Sequence, residues 1–157
     1  MIIDASLVSK LSMSGVYTLI LYMSKEVTVT IGGLGKQRLP KGNYSYTGSA
    51  LGKRASLKQR IARHLRKEKR LFWHIDYLLA DNNITIEKTV AAETTKKLEC
   101  TINSHFKTIA YTTIPINRFG ASDCINNCKS HLLYFPEIGS TDSIVQKLVI
   151  YLRSLPE

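Results

Sequence analysis

Six side chains of this 157-residue chain have types and spacings that could hold an anion and move protons: Tyr17, Tyr46, Arg60, His64, His74 and Glu99. Arg60 and His64 stand four residues apart, so on a helix they share a side. Just ahead of them, Tyr44-Ser45-Tyr46-Thr47-Gly48-Ser49-Ala50-Leu51-Gly52 alternates aromatic and small residues and runs into a small-residue turn. A strand, a glycine turn and a helix start in that order make a concavity lined by backbone N–H groups, suited to a polyanion. Each candidate also has an everyday alternative. Strand tyrosines usually pack, with one satisfied hydroxyl. Arg60 serves equally as a surface charge, His74 beside Trp73 as a core histidine, and Glu99 as a helix-surface acid.

Charge favours the anion reading. The net charge is +10, which implies an anionic partner. Between Lys53 and Arg70 there are nine basic residues and one acid, Glu68. On an isolated helix such a run is a solvated face; directly after a glycine turn it favours phosphate contact. Gly48, Ser49, Lys53, Arg54, Arg63, Arg66 and Lys67 are the candidate phosphate contacts. No apolar run approaches the roughly 20 residues of a membrane span, and residues 1–13 lack the apolar centre of a signal peptide. The expectation is one soluble, intracellular (cytoplasmic) domain with no membrane association. Three cysteines are an odd number and read as reduced thiols or ligands rather than a disulfide framework.

The elements that must position these residues are legible in outline. Residues 2–14 carry no strong signal. Gly15–Met23 is almost wholly apolar and reads as a central strand. Val27–Ile31 alternates and reads as a half-buried strand. A flexible turn over 32–36, a short strand from Gln37 and a strand over 43–47 complete an antiparallel meander. Leu57, Ile61 and Leu65 mark one helix stripe, with Arg60 and His64 beside it at the edge of the core. Leu71–Ala80 reads as a mostly buried helix, Ile84–Val90 as a strand and Glu93–Phe106 as a helix. An extended segment over 108–116 follows, then a loop over 117–130, a last strand over 131–135 and a helix over 143–152.

Cys124 and Cys128 in that loop, with His131, offer two sulfurs and one imidazole. A closed structural zinc site would need a fourth ligand, Asp123 or Cys100. Reduced cysteines ordering a loop are the preferred reading, and Asp123 with Ser122 has the alternative of facing the cleft.

The order Gly15-Val16-Tyr17, Tyr46-Thr47-Gly48, Arg60 with His64, His74 and a helical Glu99 resembles the GIY-YIG nuclease superfamily over roughly residues 15–106. A narrower resemblance covers nearly the whole chain. Tyr46-Thr47-Gly48-Ser49-Ala50-Leu51-Gly52, Arg63-His64-Leu65, Trp73-His74-Ile75-Asp76-Tyr77-Leu78, Leu98-Glu99-Cys100 and Phe119-Gly120-Ala121-Ser122-Asp123-Cys124 with Ser130-His131-Leu132 are similar to the Uri branch. That branch is sometimes fused to an endonuclease-III-like domain and shares the long interval between Tyr17 and Tyr46. The resemblance implies a single α/β (α+β) domain: a small mixed, mainly antiparallel sheet flanked by helices. An extra hairpin and a C-terminal extension over 107–157 are added to the core.

The activity implied is metal-dependent hydrolysis of DNA phosphodiester bonds in repair or recombination. In that scheme Glu99 carries Mg2+ or Mn2+ and Arg60 holds the scissile phosphate with a planar fork. Tyr17 takes a proton from water, which requires a nearby cation to lower a phenol that titrates near 10. Tyr46 positions the water or phosphate, and His64 and His74 assist proton transfer or bind phosphate. Two further classes fit the same residues. One is a nucleic-acid-binding module with little cleavage. The other is an adaptor whose segment 117–157 docks a partner DNA-repair protein.

Overall fold

Gly15–Met23 is apolar at nearly every position because both faces of the strand it forms, β2, are covered. Its side chains divide between two packed layers. Tyr17, Leu19, Leu21 and Met23 point into one, while Val16 and Ile20 point into the other. The computed structural model in which this is seen describes residues 2–3, 14–54, 56–122 and 124–156. Most of the lead-in and Asp123 lie outside the described residues.

β2 is flanked by β5 (Gly42–Ala50) and β6 (Ile84–Glu93). The two-residue β1 (Ile2–Ile3) and β7 (Leu132–Phe135) complete one sheet in the order β1-β6-β2-β5-β7. Every pairing in it is antiparallel. One face carries α1 (Leu57–Leu65) and α2 (His74–Leu79), whose Leu57, Ile61, Ile75 and Leu78 pack on Tyr17, Leu19, Tyr44 and Tyr46. The other face carries α3 (Glu99–Phe106) and α4 (Thr141–Ser154), whose Ile102, Phe106, Ile144 and Leu148 pack on Val16, Ile20, Leu133 and Phe135. The fold is a small α+β domain, with two helices on each side of an antiparallel sheet.

Several boundaries differ from the sequence expectation, each for a physical reason. The meander is interrupted. β3 (Val27–Ile31) and β4 (Gly35–Leu39) pair with each other as a separate hairpin across a short 3-10 turn, and β5 returns to β2. The expected turn at Gly48–Ala50 is strand: Gly48 pairs with Tyr17, Ser49 with Val16 and Ala50 with Gly15. In α1 the buried stripe is Leu57, Ile61 and His64, while Leu65 is 38% exposed. The histidine replaces the leucine because its ring reaches a hydroxyl partner inside the sheet. α1 starts at a capping box in which the Ser56 hydroxyl accepts the Gln59 N–H at 3.2 Å. α2 begins at His74, not Leu71. Asp76 turns back and accepts the N–H groups of Phe72 and Trp73 at 3.0 and 2.9 Å, which ends the preceding loop. β6 runs on to Glu93, so α3 starts only at Glu99. Residues 108–116 form turns with a single bridge, Thr113 to Tyr134, rather than a strand.

Candidate active site and thiol cluster

A cleft of about 450 Å³ opens across β5, where the α1–α2 face and the α3 face of the sheet meet. Five of the six chemistry candidates line it: Tyr17, Tyr46, Arg60, His74 and Glu99. They come from five different elements, so the fold gathers what the sequence spreads over 83 positions, from 17 to 99. Gly48, Ser49 and Ser122 line it too.

Glycine is required where Gly48 stands. A Cβ there would lie 2.6 Å from the Tyr17 hydroxyl oxygen and 2.7 Å from Cζ, so the bare backbone is what lets the phenol cross β5 toward the cleft. Gly48 therefore does not cradle phosphate with a turn; it makes room for Tyr17. Ser49, on the opposite face of β5, gives its hydroxyl hydrogen to a Glu99 carboxylate oxygen. This bond orients the carboxylate at the first residue of α3.

Tyr17 is 2% exposed and its hydroxyl lies 2.7 Å from His64 Nε2. Burial, then the adjacent Tyr46, pushes the phenol well above its ordinary value; the Arg60 guanidinium pulls it down without prevailing. The cation that a tyrosine base requires is thus present and outweighed. His64 is buried as well. Loss of water drives its imidazole down to about 3 against the pull of Asp76, so the ring is neutral. His64 Nδ1 meets no hydrogen-bond partner among the described residues. Either Nε2 or the phenol O–H donates in the Tyr17–His64 bond, according to which ring nitrogen carries the proton. His64 itself does not line the cleft and stands behind Tyr17.

His74 is fixed in the opposite sense. Its Nδ1 accepts the Gly120 N–H at 2.9 Å, so in the neutral ring Nε2 carries the hydrogen. Burial lowers its pKa and keeps it neutral. The Gly120 loop is shaped by Tyr46: φ is +65° there, and a Cβ would meet Tyr46 Cε2 at 2.8 Å.

The basic candidates separate. Arg60 lies with its guanidinium carbon 4.3 Å from the centre of the Trp73 ring, and no ion pair to it is formed among the described residues. Arg63 also stacks on Trp73, at 4.2 Å, but it is paired with buried Asp76 through two bonds of 2.7 and 2.8 Å. Burial alone would raise the Asp76 carboxyl; Arg63 and the N–H groups of Trp73 and Phe72 hold it below its ordinary value. Arg63 therefore serves as a structural cation in this fold, its charge answered by Asp76. Arg66 and Lys67 border a different hollow, with His64 and Leu79. Lys53 and Arg54 are exposed in the turn before α1 and do not reach the cleft wall. Sequence reasoning passed over Phe72, which stands 73% exposed on the cleft beside Trp73. The only signal for it was the aromatic pair itself, read there as buried helix.

Next to Glu99, Cys100 faces the C-terminal loop. Its Sγ lies 3.4 Å from Cys124 Sγ and 3.8 Å from His131 Nε2. With Cys128, one ligand atom from each of these four residues falls within 4.8 Å of the others. The loop thiols do not stand apart, and the four residues together could hold a metal ion. Cys100 supplies the fourth position. Asp123, the other candidate, lies outside the described residues.

Comparison with protein families matches residues 16–153 to a domain of unknown function, DUF123. The chain belongs to the DUF123 family. Neither the curated proteins nor the solved structures contain a match to it. The DUF123 match takes in both the cleft and the thiol cluster, from β2 to α4. No helix among the described residues of this DUF123 chain is long and apolar enough to cross a membrane.

Proposed function

We propose that this chain is a metal-dependent endonuclease of GIY-YIG type that hydrolyses DNA phosphodiester bonds, with a place in DNA repair or recombination. The observation that carries the reading is the convergence of Tyr17, Tyr46, Arg60, His74 and Glu99 on one cleft. The Uri-like order of motifs supports it.

Glu99 suits a hard divalent cation, Mg2+ or Mn2+. It is a single half-buried carboxylate on the wall of an open cleft, oriented by Ser49, which leaves room for an ion that keeps most of its waters. Such an ion supplies positive charge to the phosphate and lowers the pKa of the attacking water. Arg60, stiffened by its stack on Trp73, presents a planar fork to two phosphate oxygens. His74 donates from Nε2, a donor held in place before substrate arrives. In this arrangement Tyr17 orients and stabilises, and does not abstract a proton. Phe72 offers an exposed ring on which a base can stack.

The test is cleavage of a labelled panel (duplex, single strand, flap, fork, four-way junction, abasic and uracil duplex, with an RNA control) with Mg2+ or Mn2+. Wild type is compared with Glu99→Ala and Arg60→Ala. Cutting that each variant abolishes supports the reading. Binding without cleavage on every substrate would sink it and leave a nucleic-acid-binding module, and a stable co-purifying repair protein would favour an adaptor.

A further inference from the structure

We infer that Cys100, Cys124, Cys128 and His131 form a structural zinc site that braces the cleft wall, separate in place and chemistry from the cation site at Glu99. Three thiols and an imidazole are a soft donor set that binds zinc and leaves Mg2+ to carboxylates and water. The spacing suits it. A tetrahedral zinc with Zn–S of about 2.3 Å holds its ligand atoms roughly 3.5–4 Å apart. The separations in the structure are 3.4 Å for Cys100 Sγ to Cys124 Sγ and 3.8 Å for Cys100 Sγ to His131 Nε2.

Apolar packing does little to hold this cluster together. The segment bearing Cys124 and Cys128 is polar and exposed, with Ile125 81% exposed and Asn127 in a left-handed conformation at φ 55°. Such a segment lacks the apolar burial that would hold it against α3. Instead it is anchored around His131, whose N–H donates to the Phe119 carbonyl at 2.8 Å and whose carbonyl accepts the Thr47 N–H at 3.2 Å. Asn103 of α3 reaches over to the Ser130 carbonyl at 2.7 Å. Ligands and anchors together tie three pieces: the first turn of α3, the 118–131 loop and the end of β5.

That placement gives the ion a task. Cys100 follows Glu99 directly, and His131 lines the cleft while offering its Nε2 to the cluster. A zinc ion here fixes Glu99 at the head of α3 against Gly120 and Ser122 on the loop. The brace is a property of the fold. Its effect on cleavage rests on the nuclease reading.

The experiment uses the full chain expressed with added zinc and purified with reductant and without chelator. Elemental analysis is expected to find one zinc per chain. Replacement with Co2+ should give strong thiolate-to-cobalt charge-transfer absorption and the intense visible bands of a tetrahedral site, and Cys128→Ser should weaken both. Chelation of the wild type should lower Tm by roughly 10 °C and open the 118–131 segment to proteolysis. Because wild-type spectra and metal content carry the test, a variant that fails to fold does not decide it. Zinc well below stoichiometry, with no cobalt spectrum, overturns the site. Bound zinc whose removal leaves Tm and proteolysis unchanged overturns the brace. None of these readouts needs DNA, so a zinc-loaded protein that does not cut would overturn the nuclease reading alone.

Discussion

At the scale of single residues, the Tyr17–His64 pair decides how the cleft can work, because both partners are held neutral by burial. His64 takes up a proton in the unfolded chain near pH 6.5 but in the fold only near about 3. Between those values the unfolded state binds more protons, so stability falls as pH drops through that window. Half-buried His74 and His105 act in the same direction, and Asp76, with its lowered pKa, adds an acid limb of its own. The groups facing His64 are Tyr17, Asp76, Lys69, Arg63 and Arg60. A His64→Gln variant should therefore show a flatter loss of stability from pH 6.5 downward than wild type, by a few kcal/mol at most, in urea unfolding across pH. An unchanged slope would mean that His64 is charged in the fold. Gly48→Ala tests the same pair from the other side. Its methyl would strike the Tyr17 ring, so an expected cost of about 1–3 kcal/mol in denaturant unfolding should be matched by loss of cleavage.

At the scale of elements, the 66–73 segment is held by one buried carboxylate. Asp76 is wholly buried and answers Arg63 and two backbone N–H groups, so it sets where α2 starts and where the cleft-side aromatic Trp73 stands. Asp76→Ala would leave a half-buried guanidinium without its partner and should cost about 3–5 kcal/mol. Conservative Asp76→Asn should recover only part, since it keeps the N–H contacts and loses the charge. Urea unfolding of the two variants distinguishes these contributions. This element also shows what could be read in the chain beforehand. Strands β2, β3 and β6 and helix α4 were legible because their apolar patterns run long enough to declare a period. The start of α2 was not, because Leu71 and Phe72 look buried in sequence and are exposed by a cap that only tertiary contacts reveal. Gly48 was misread as a turn for a similar reason: its partner is Tyr17, 31 positions earlier, and no local rule shows that contact. Five candidates named from their motif order line one cleft, whereas His64, read at the edge of the core beside a stripe ending in Leu65, is buried while Leu65 is exposed, and Cys100 was named only as one of two fourth ligands.

For the whole molecule, the question is which of the excess positive charges can meet a polyanion. The net charge of +10 says how many there are but not where they are free. The basic run from Lys53 to Arg70 does not form one stripe. Arg63 is neutralised by Asp76, Arg60 faces the cleft, and Arg66 and Lys67 border another hollow. Of the exposed basic residues, Lys53, Arg54 and Lys58 are the ones on the turn and first turn of helix that leave the cleft strand. If duplex DNA crosses the cleft, those three should carry the flanking phosphates. Each Lys→Gln or Arg→Gln change among them should then reduce the slope of log K against log salt by about 0.9, alike for every sequence. Anisotropy of a labelled duplex over a salt series, without divalent metal, measures this apart from cleavage. On the proposed nuclease reading, Arg60→Gln should cost turnover more than affinity, since Arg60 lines the cleft beside Glu99. Arg63→Gln should leave the slope unchanged while lowering stability. If instead Arg63→Gln flattened the slope as much as Lys53→Gln, the Arg63–Asp76 pair would have to open on DNA, and α2 would belong to the interface rather than to its scaffold.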